Sequence, residues 1–292
     1  MQNTQTFKLK ENQVNEIYDL LLSFGQHLTN PNQYVKWHIK GEDFSAVMYK
    51  SGKLVLQSSN DSLIEGVSEK LSKTDSNIEP HIGSDEVGKG DYFGPLVVCA
   101  AYVSDEELKK IKELGVTDSK DLNDEDIVRI AKDLKVDLCH QVKIIKPKEY
   151  NDLNSKYQNV SILLAKAHSE VCSKLFRDLK EEGKKISFVS VDQFSKSKKR
   201  LENEFSDLDL LLKQFHKGES DIAIACASII ARYEFLQEMS KMEEEYHFKF
   251  PLGATHVISK GKKFVKSFGE DELYNVAKVS FKTTEKIKGK GF

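Results

Sequence analysis

Asp85 and Glu86 stand side by side just ahead of a glycine-lysine-glycine turn, Gly88-Lys89-Gly90, and an apolar run of strand length, Leu96 to Val103, follows. Adjacent carboxylates beside such a turn read as a metal site facing a phosphate. The glycines also invite comparison with a dinucleotide-binding fingerprint. Gly88, Gly90 and Gly94 exceed the G-x-G-x-x-G spacing by one residue, however, and Pro95 and a β-branched run follow where a helix should open. Residues 80 to 103 are therefore expected to form a strand, a tight turn and a second strand.

Neighbouring strand residues point to opposite faces, so Asp85 and Glu86 share one site only if the strand ends or bulges beside them. Gly88 and Gly90 supply that irregularity, and their missing side chains let a ligand approach the backbone amides. Further along, Asp192 closes the apolar stretch Ser187 to Val191, a strand end where α/β proteins often place ligand-binding groups. Glu219, with Asp221 close by, precedes the apolar helix-forming run Ile222 to Ala231, whose N-terminus would aim at the site. Asp221 itself suits a helix-start acid that favours the dipole. Asp85, Glu86, Asp192 and Glu219 together offer hard oxygen ligands for Mg²⁺ or Mn²⁺, and no His/Cys cluster argues for zinc. Such a set matches two-metal phosphodiester hydrolysis, in which ions about 3.5 to 4 Å apart activate water and stabilise the leaving oxygen.

These groups need a scaffold, and the apolar pattern supplies one. A strand over residues 6 to 10 precedes a helix over 11 to 27 that carries Val14, Ile17, Tyr18, Leu21 and Leu22. Val35, Trp37 and Ile39 then alternate with Tyr34, Lys36, His38 and Lys40. Strands at 44 to 50 and 54 to 57 and a helix over 62 to 71 complete a small α+β domain. Polar residues from Ser72 onward mark a linker over 72 to 80, and a second domain takes 81 to 292. In it, Ser104 and Glu107 form a capping box for a helix to about Leu114. Asn123 caps a helix to Leu134, a strand covers 136 to 145, a long helix 159 to 180 and another 220 to 246. Helical segments follow Gly253.

At 292 residues with 39% hydrophobic content the chain has room for two packed cores. Its net charge is only -2 although 31% of residues are charged, so a nucleic-acid partner must be met by local basic patches. Lys196, Lys198, Lys199 and Arg200, and Lys260, Lys262, Lys263 and Lys266, are such runs, although each also suits a solvated face. Cys99, Cys139, Cys172 and Cys226 are scattered without C-x-x-C spacing, as expected of free thiols in a reducing cytosol. With neither a membrane-length apolar segment nor a signal pattern, a cytoplasmic protein is expected.

Asp85-Glu86-Val87-Gly88-Lys89-Gly90, Thr117-Asp118-Ser119-Lys120, Val191-Asp192-Gln193-Phe194 and the Ala-Ser-Ile-Ile-Ala-Arg core of 223 to 232 resemble, in this order, the motifs of the type 2 ribonucleases H. The likeness spans about residues 81 to 268. Within that group the chain is more similar to ribonuclease HIII than to ribonuclease HII. Its first 71 residues have the element order of an N-terminal domain resembling the TATA-binding-protein fold. Its turn holds Lys89 where ribonuclease HII has arginine, and Pro251-Leu252-Gly253-Ala254-Thr255 lacks the tyrosine of a Gly-Tyr-Gly-Thr segment.

The resemblance implies a ribonuclease-H-like mixed-sheet α/β catalytic domain, with Asp85, Glu86 and Asp192 as core metal ligands and Glu219 as the fourth carboxylate. It further implies that Gly88, Lys89 and Gly90 contact the sugar-phosphate of the RNA strand, where the 2′-hydroxyl distinguishes RNA from DNA. Ser119 and Lys120 then hold a phosphate of the DNA strand, or else satisfy local backbone groups in a loop. The implied reaction is hydrolysis of the RNA strand of an RNA/DNA hybrid, leaving 5′-phosphate and 3′-hydroxyl ends, with no obligate protein partner. Two alternatives stand beside it: incision at single ribonucleotides in duplex DNA, and a nucleic-acid-binding module without catalysis.

Overall fold

The computed structural model describes residues 3–9, 11–30, 32–74, 78–116, 122–194, 198–205, 210–215, 218 and 221–289. The chain divides into two compact units, Met1–Ile78 and Glu79–Phe292.

The first unit runs β1 (Asn3–Lys8), α1 (Glu11–Leu22), β2 (Gly25–Leu28), β3 (Val35–Gly41), β4 (Phe44–Tyr49), β5 (Lys53–Ser58) and α2 (Asp61–Thr74). Its sheet is antiparallel, in the order β1-β5-β4-β3-β2. Alternation sends Trp37, Ile39, Phe44, Ala46, Met48, Leu54 and Leu56 inward, where they pack with Val14, Ile17 and Leu21 of α1 and Val67 of α2. Trp37 and Phe44 are thus core residues, while Tyr34 is exposed.

The first helix is shorter than its apolar pattern suggests, and β2 takes over where a helical continuation to residue 27 was expected. Gly25 explains the change: β2 pairs with β3, and a Cβ at Gly25 would come within 2.7 Å of the Lys40 carbonyl oxygen. Helix α2 in turn continues through Thr74, three residues past its expected end.

The second unit begins with β6 (His81–Val87) and β7 (Leu96–Val103) and continues through α3 (Asp105–Glu113), α4 (Asp124–Asp137), β8 (His140–Ile145), α5 (Pro147–Tyr157) and α6 (Val160–Glu181). Then come β9 (Phe188–Asp192), α7 (Lys198–Glu204), β10 (Leu211–Phe215), α8 (Ile222–Tyr246), α9 (Ile258–Phe268), α10 (Leu273–Val276) and α11 (Thr283–Ile287). The Ser104–Glu107 capping box and the Asn123 and Asn159 caps open α3, α4 and α6 as their sequences dictate. Val136 belongs to α4 rather than to the next strand, because the helix runs on until the Leu138 amide closes on the Leu134 carbonyl. The short elements α5, α7 and β10 carry no clear period of their own and were not anticipated.

The sheet is mixed, in the order β10-β9-β6-β7-β8: β10, β9 and β6 are parallel, and β7 is antiparallel to both of its neighbours. Every residue of β7 is buried, which marks a central strand covered on both faces. Helix α6 covers one face, its Leu164, Val171, Cys172 and Leu175 packing with Ile82, Val98 and Ala100. Helix α8 covers the other so closely that a Cβ on Gly83 would fall 2.3 Å from the backbone of Ala223 and Ile224.

Candidate active site

Strands β6 and β9 are parallel neighbours whose last paired residues are Ser84 and Val191. Asp85 and Asp192 each follow directly, so both carboxylates stand at the carboxyl edge of the sheet where the chain leaves it. Pairing with β7 stays in regular register from His81 to Val87, so there is no bulge at Asp85 and Glu86; the strand simply ends one residue later. The two side chains therefore follow the pleat. Asp85 shares the α8 face with Gly83, and Glu86 shares the α6 face with Ser84.

The Asp85 carboxyl accepts the Glu86 amide at 2.8 Å and a hydrogen bond from Ser228 on α8. Burial, then the neighbouring charge of Glu86 and more weakly that of Asp192, raise its pKa from 3.8 to about 7, against the lowering effect of those hydrogen bonds. On the other face, Glu86 Oε2 lies 3.1 Å from Nε2 of His168 on α6, while Glu86 Oε1 accepts from Lys89 Nζ at 3.3 Å. Lys89 Nζ also donates to the Phe194 carbonyl at 3.1 Å. The ammonium is thus turned in toward Glu86. Asp192 Oδ1 accepts the Gly218 amide at 2.9 Å, which brings the chain just before Glu219 against Asp192. Glu219, Ser119 and Lys120 lie outside the described residues, and among those described no group of three or more His, Cys, Asp or Glu side chains is gathered closely enough to hold a metal ion.

Asp221 has a different task. It is the N-cap of α8, accepting the Ala223 and Ile224 amides at 2.9 and 3.1 Å, and it pairs with His81 Nε2 at 3.0 Å. Burial would raise its pKa, but the His81 hydrogen bond and charge and the Ile224 amide outweigh that and hold the carboxyl below its ordinary value. His81 was not singled out in the sequence, and neither was His168. His168 is one polar residue on an otherwise apolar helix face and His81 opens a buried strand, so each by itself reads as core.

The turn between β6 and β7 is held from several sides. Gly88 has φ +93°, and a Cβ there would lie 2.2 Å from the Pro95 carbonyl oxygen, so only glycine fits; around Gly90 there is open space. Gly253 donates to Asp91 Oδ1 at 2.6 Å and accepts from the Tyr92 amide at 2.8 Å, placing the Pro251-to-Thr255 segment directly against the turn. Buried Lys278 donates from Nζ to the Asp91 and Gly94 carbonyls at 2.9 and 2.7 Å. Its burial, only partly offset by Asp91, lowers its pKa from 10.5 to about 7. His256 is exposed.

Comparison with known proteins follows this division of the chain. The family model described as Ribonuclease HII matches residues 82–284, the unit that carries the carboxylates. Two curated relatives extend the match through the N-terminal unit. The ribonuclease HIII of Chlamydia felis (strain Fe/C-56) is 36% identical over 281 residues, covering 92% of each chain, and that of Lactococcus lactis subsp. cremoris (strain SK11) is 34% identical over 289 residues, covering 96% of each. The chain belongs to the ribonuclease HIII family. A solved structure, Bst-RNase HIII in complex with Mn²⁺, superimposes with a TM-score of 0.69 at 27% identity, over 98% of both chains. Ribonuclease HIII is a metal-dependent endoribonuclease that cuts the RNA strand of RNA/DNA hybrids, and this chain has that activity and that ribonuclease-H-like mixed sheet.

Proposed function

We propose that Asp85, Glu86, Asp192 and Glu219 hold the Mg²⁺ or Mn²⁺ ions of a two-metal hydrolysis that leaves 5′-phosphate and 3′-hydroxyl ends. The observation that carries this reading is the placement of Asp85 and Asp192 directly after the last paired residues of adjacent parallel strands, with Glu86 next to Asp85 and the Gly218 amide fixed on Asp192. The donor set fits divalent cations. All four groups are hard oxygen donors, and a carboxyl kept near pKa 7 by burial and neighbouring negative charge is one that a cation would let ionise. When bound, the ions polarise the scissile phosphate and the attacking water and stabilise the leaving 3′-oxygen. The protein's own groups locate the RNA strand. The Gly88, Lys89 and Gly90 backbone faces the sugar-phosphate, Gly90 leaving open space for it, and Ser119 and Lys120 take a phosphate of the DNA strand.

The N-terminal unit serves as the hybrid-holding domain. Strand alternation gives the sheet face opposite α1 and α2 to Thr4, Thr6, Lys8, His38, Lys40, Ser45, Val47, Tyr49, Lys53, Val55 and Gln57, with no acid among them. Among the described residues, the acids of this unit fall on α1, on the β3–β4 turn and on α2. Such a face suits a phosphate backbone. A cytoplasmic setting is consistent with free thiols at Cys99, Cys139, Cys172 and Cys226, and no helix among the described residues is long and apolar enough to cross a membrane.

The test compares a uniform RNA/DNA hybrid with duplex DNA holding one ribonucleotide, in Mg²⁺ and in Mn²⁺. Cutting confined to the hybrid is expected, because the segment packed on the turn holds Leu252-Gly253-Ala254 and no tyrosine. Efficient incision at the single ribonucleotide would instead establish a ribonuclease-HII-like specificity.

A further inference from the structure

His168 is a fully buried imidazole on α6, and the reaction as described gives it no task. It is 0% exposed, in a helix whose other inward residues are apolar. Burying an imidazole is unfavourable unless both ring nitrogens are satisfied. Here both are. Nδ1 lies 2.8 Å from Ser84 Oγ, which itself reaches the Cys99 carbonyl at 2.7 Å, and Nε2 lies 3.1 Å from Glu86 Oε2. An ionised carboxylate only accepts, so Nε2 carries the hydrogen and donates it, whichever way the Ser84 hydroxyl points.

The ring is also fixed in its plane. It stacks on Phe194 at 5.1 Å between centroids and 2° between planes, and Phe194 sits two residues beyond Asp192. Ser84 and Glu86 lie on β6, and Phe194 lies two residues past the end of the adjacent β9, so a single side chain of α6 ties together the chain around two of the proposed metal ligands. Of the two nitrogen donors on Glu86, the other, Lys89 Nζ, is on an exposed residue and is shared with the Phe194 carbonyl, whereas the imidazole is fully buried.

We propose that His168 is a positioning residue for metal binding: by donating Nε2–H to Glu86 Oε2 from a site locked by Ser84 and Phe194, it sets the direction in which Glu86 presents its remaining lone pairs to the cation. This rests on the reading of Glu86 as a ligand. Partners that orient a metal-binding side chain in this way typically account for about tenfold to a hundredfold in metal affinity.

Two substitutions of similar polarity separate positioning from mere packing. In His168→Gln the amide nitrogen extends to about the place of Nε2 and keeps the donor to Glu86. In His168→Asn it reaches only the place of Nδ1, toward Ser84. Calorimetric titration of the full-length proteins with Mn²⁺, without nucleic acid, is the readout, with circular dichroism and melting of the metal-free proteins recorded alongside. The expected result is Mn²⁺ affinity close to wild type in His168→Gln and about tenfold to a hundredfold weaker in His168→Asn, with matched metal-free melting temperatures and an unchanged KM for the hybrid. Wild-type affinity in His168→Asn, or equal losses in both variants, would overturn the role. Glu86→Gln is titrated in parallel: undiminished Mn²⁺ binding there would remove Glu86 from the ligand set, and the failure would then belong to the underlying reading rather than to His168.

Discussion

A carboxyl buried beside other carboxyls resists ionisation, and Asp85 shows the cost. Its folded pKa of about 7 lies above the ordinary 3.8, so between those values the folded state binds more protons than the unfolded state. Stability at this site is present at low pH and is lost as pH rises from about 4 through 7. In chelator at pH 8, Asp85→Asn should therefore melt about 5 °C higher than wild type, with the gap closing toward pH 4; an equal or lower melting temperature for the variant would show that the charge is not strained. Lys278 behaves in the opposite sense. Its folded pKa of about 7 lies below 10.5, so its contribution improves as pH rises from 7 toward 10.5. At this scale the places of Asp85, Glu86 and Asp192 near the ends of β6 and β9 were legible, because carboxylates at strand ends stand out from apolar runs. His81, His168 and Lys278 were not, because a buried polar residue in an apolar stretch shows its partner only when distant segments meet.

At the scale of elements, the turn after β6 separates two uses of glycine. Gly88 is required by its positive φ and by the Pro95 carbonyl, whereas Gly90 faces open space. Gly88→Ala should lower stability by about 1 to 3 kcal/mol and reduce cleavage with it. Gly90→Ala should leave the melting temperature unchanged and weaken only hybrid binding, as fluorescence anisotropy would show; loss of stability in Gly90→Ala would mean that the position serves the fold instead. The sequence located this turn and both flanking strands correctly and expected the first strand to end or bulge beside Asp85 and Glu86; it ends, one residue after Glu86, without a bulge. The register is regular, and the pair is split between the α8 and α6 faces. Capping signals, as at Ser104 and Asn123, placed helix starts to the residue because they are local chemistry. Short β2 and β10 escaped notice, since four or five residues define no period and each exists only through the strand it pairs with.

At the scale of the whole molecule, net charge concealed how charge is arranged. The N-terminal unit has lysines and acids in similar number, and only the register of its sheet shows Lys8, Lys40 and Lys53 on the face away from the helices. Lys40→Glu with Lys53→Glu should weaken hybrid binding and flatten its dependence on salt by about two units of slope, with little change in kcat at saturating hybrid. An unaltered salt slope would remove that face from the interface. In the second unit Asp85 and Asp192 stand where two parallel strands end; the alternating strands and helices implied the layers, while the pairing of β6 with β9 is visible only in the fold.

The most direct test of this account is cleavage of a uniform RNA/DNA hybrid by purified Asp85→Asn, in Mg²⁺ and in Mn²⁺, alongside a binding titration of the same protein. Cleavage should be abolished while hybrid affinity stays close to wild type, because one metal ligand is lost and the phosphate contacts remain. Undiminished cleavage would contradict the assignment of the site.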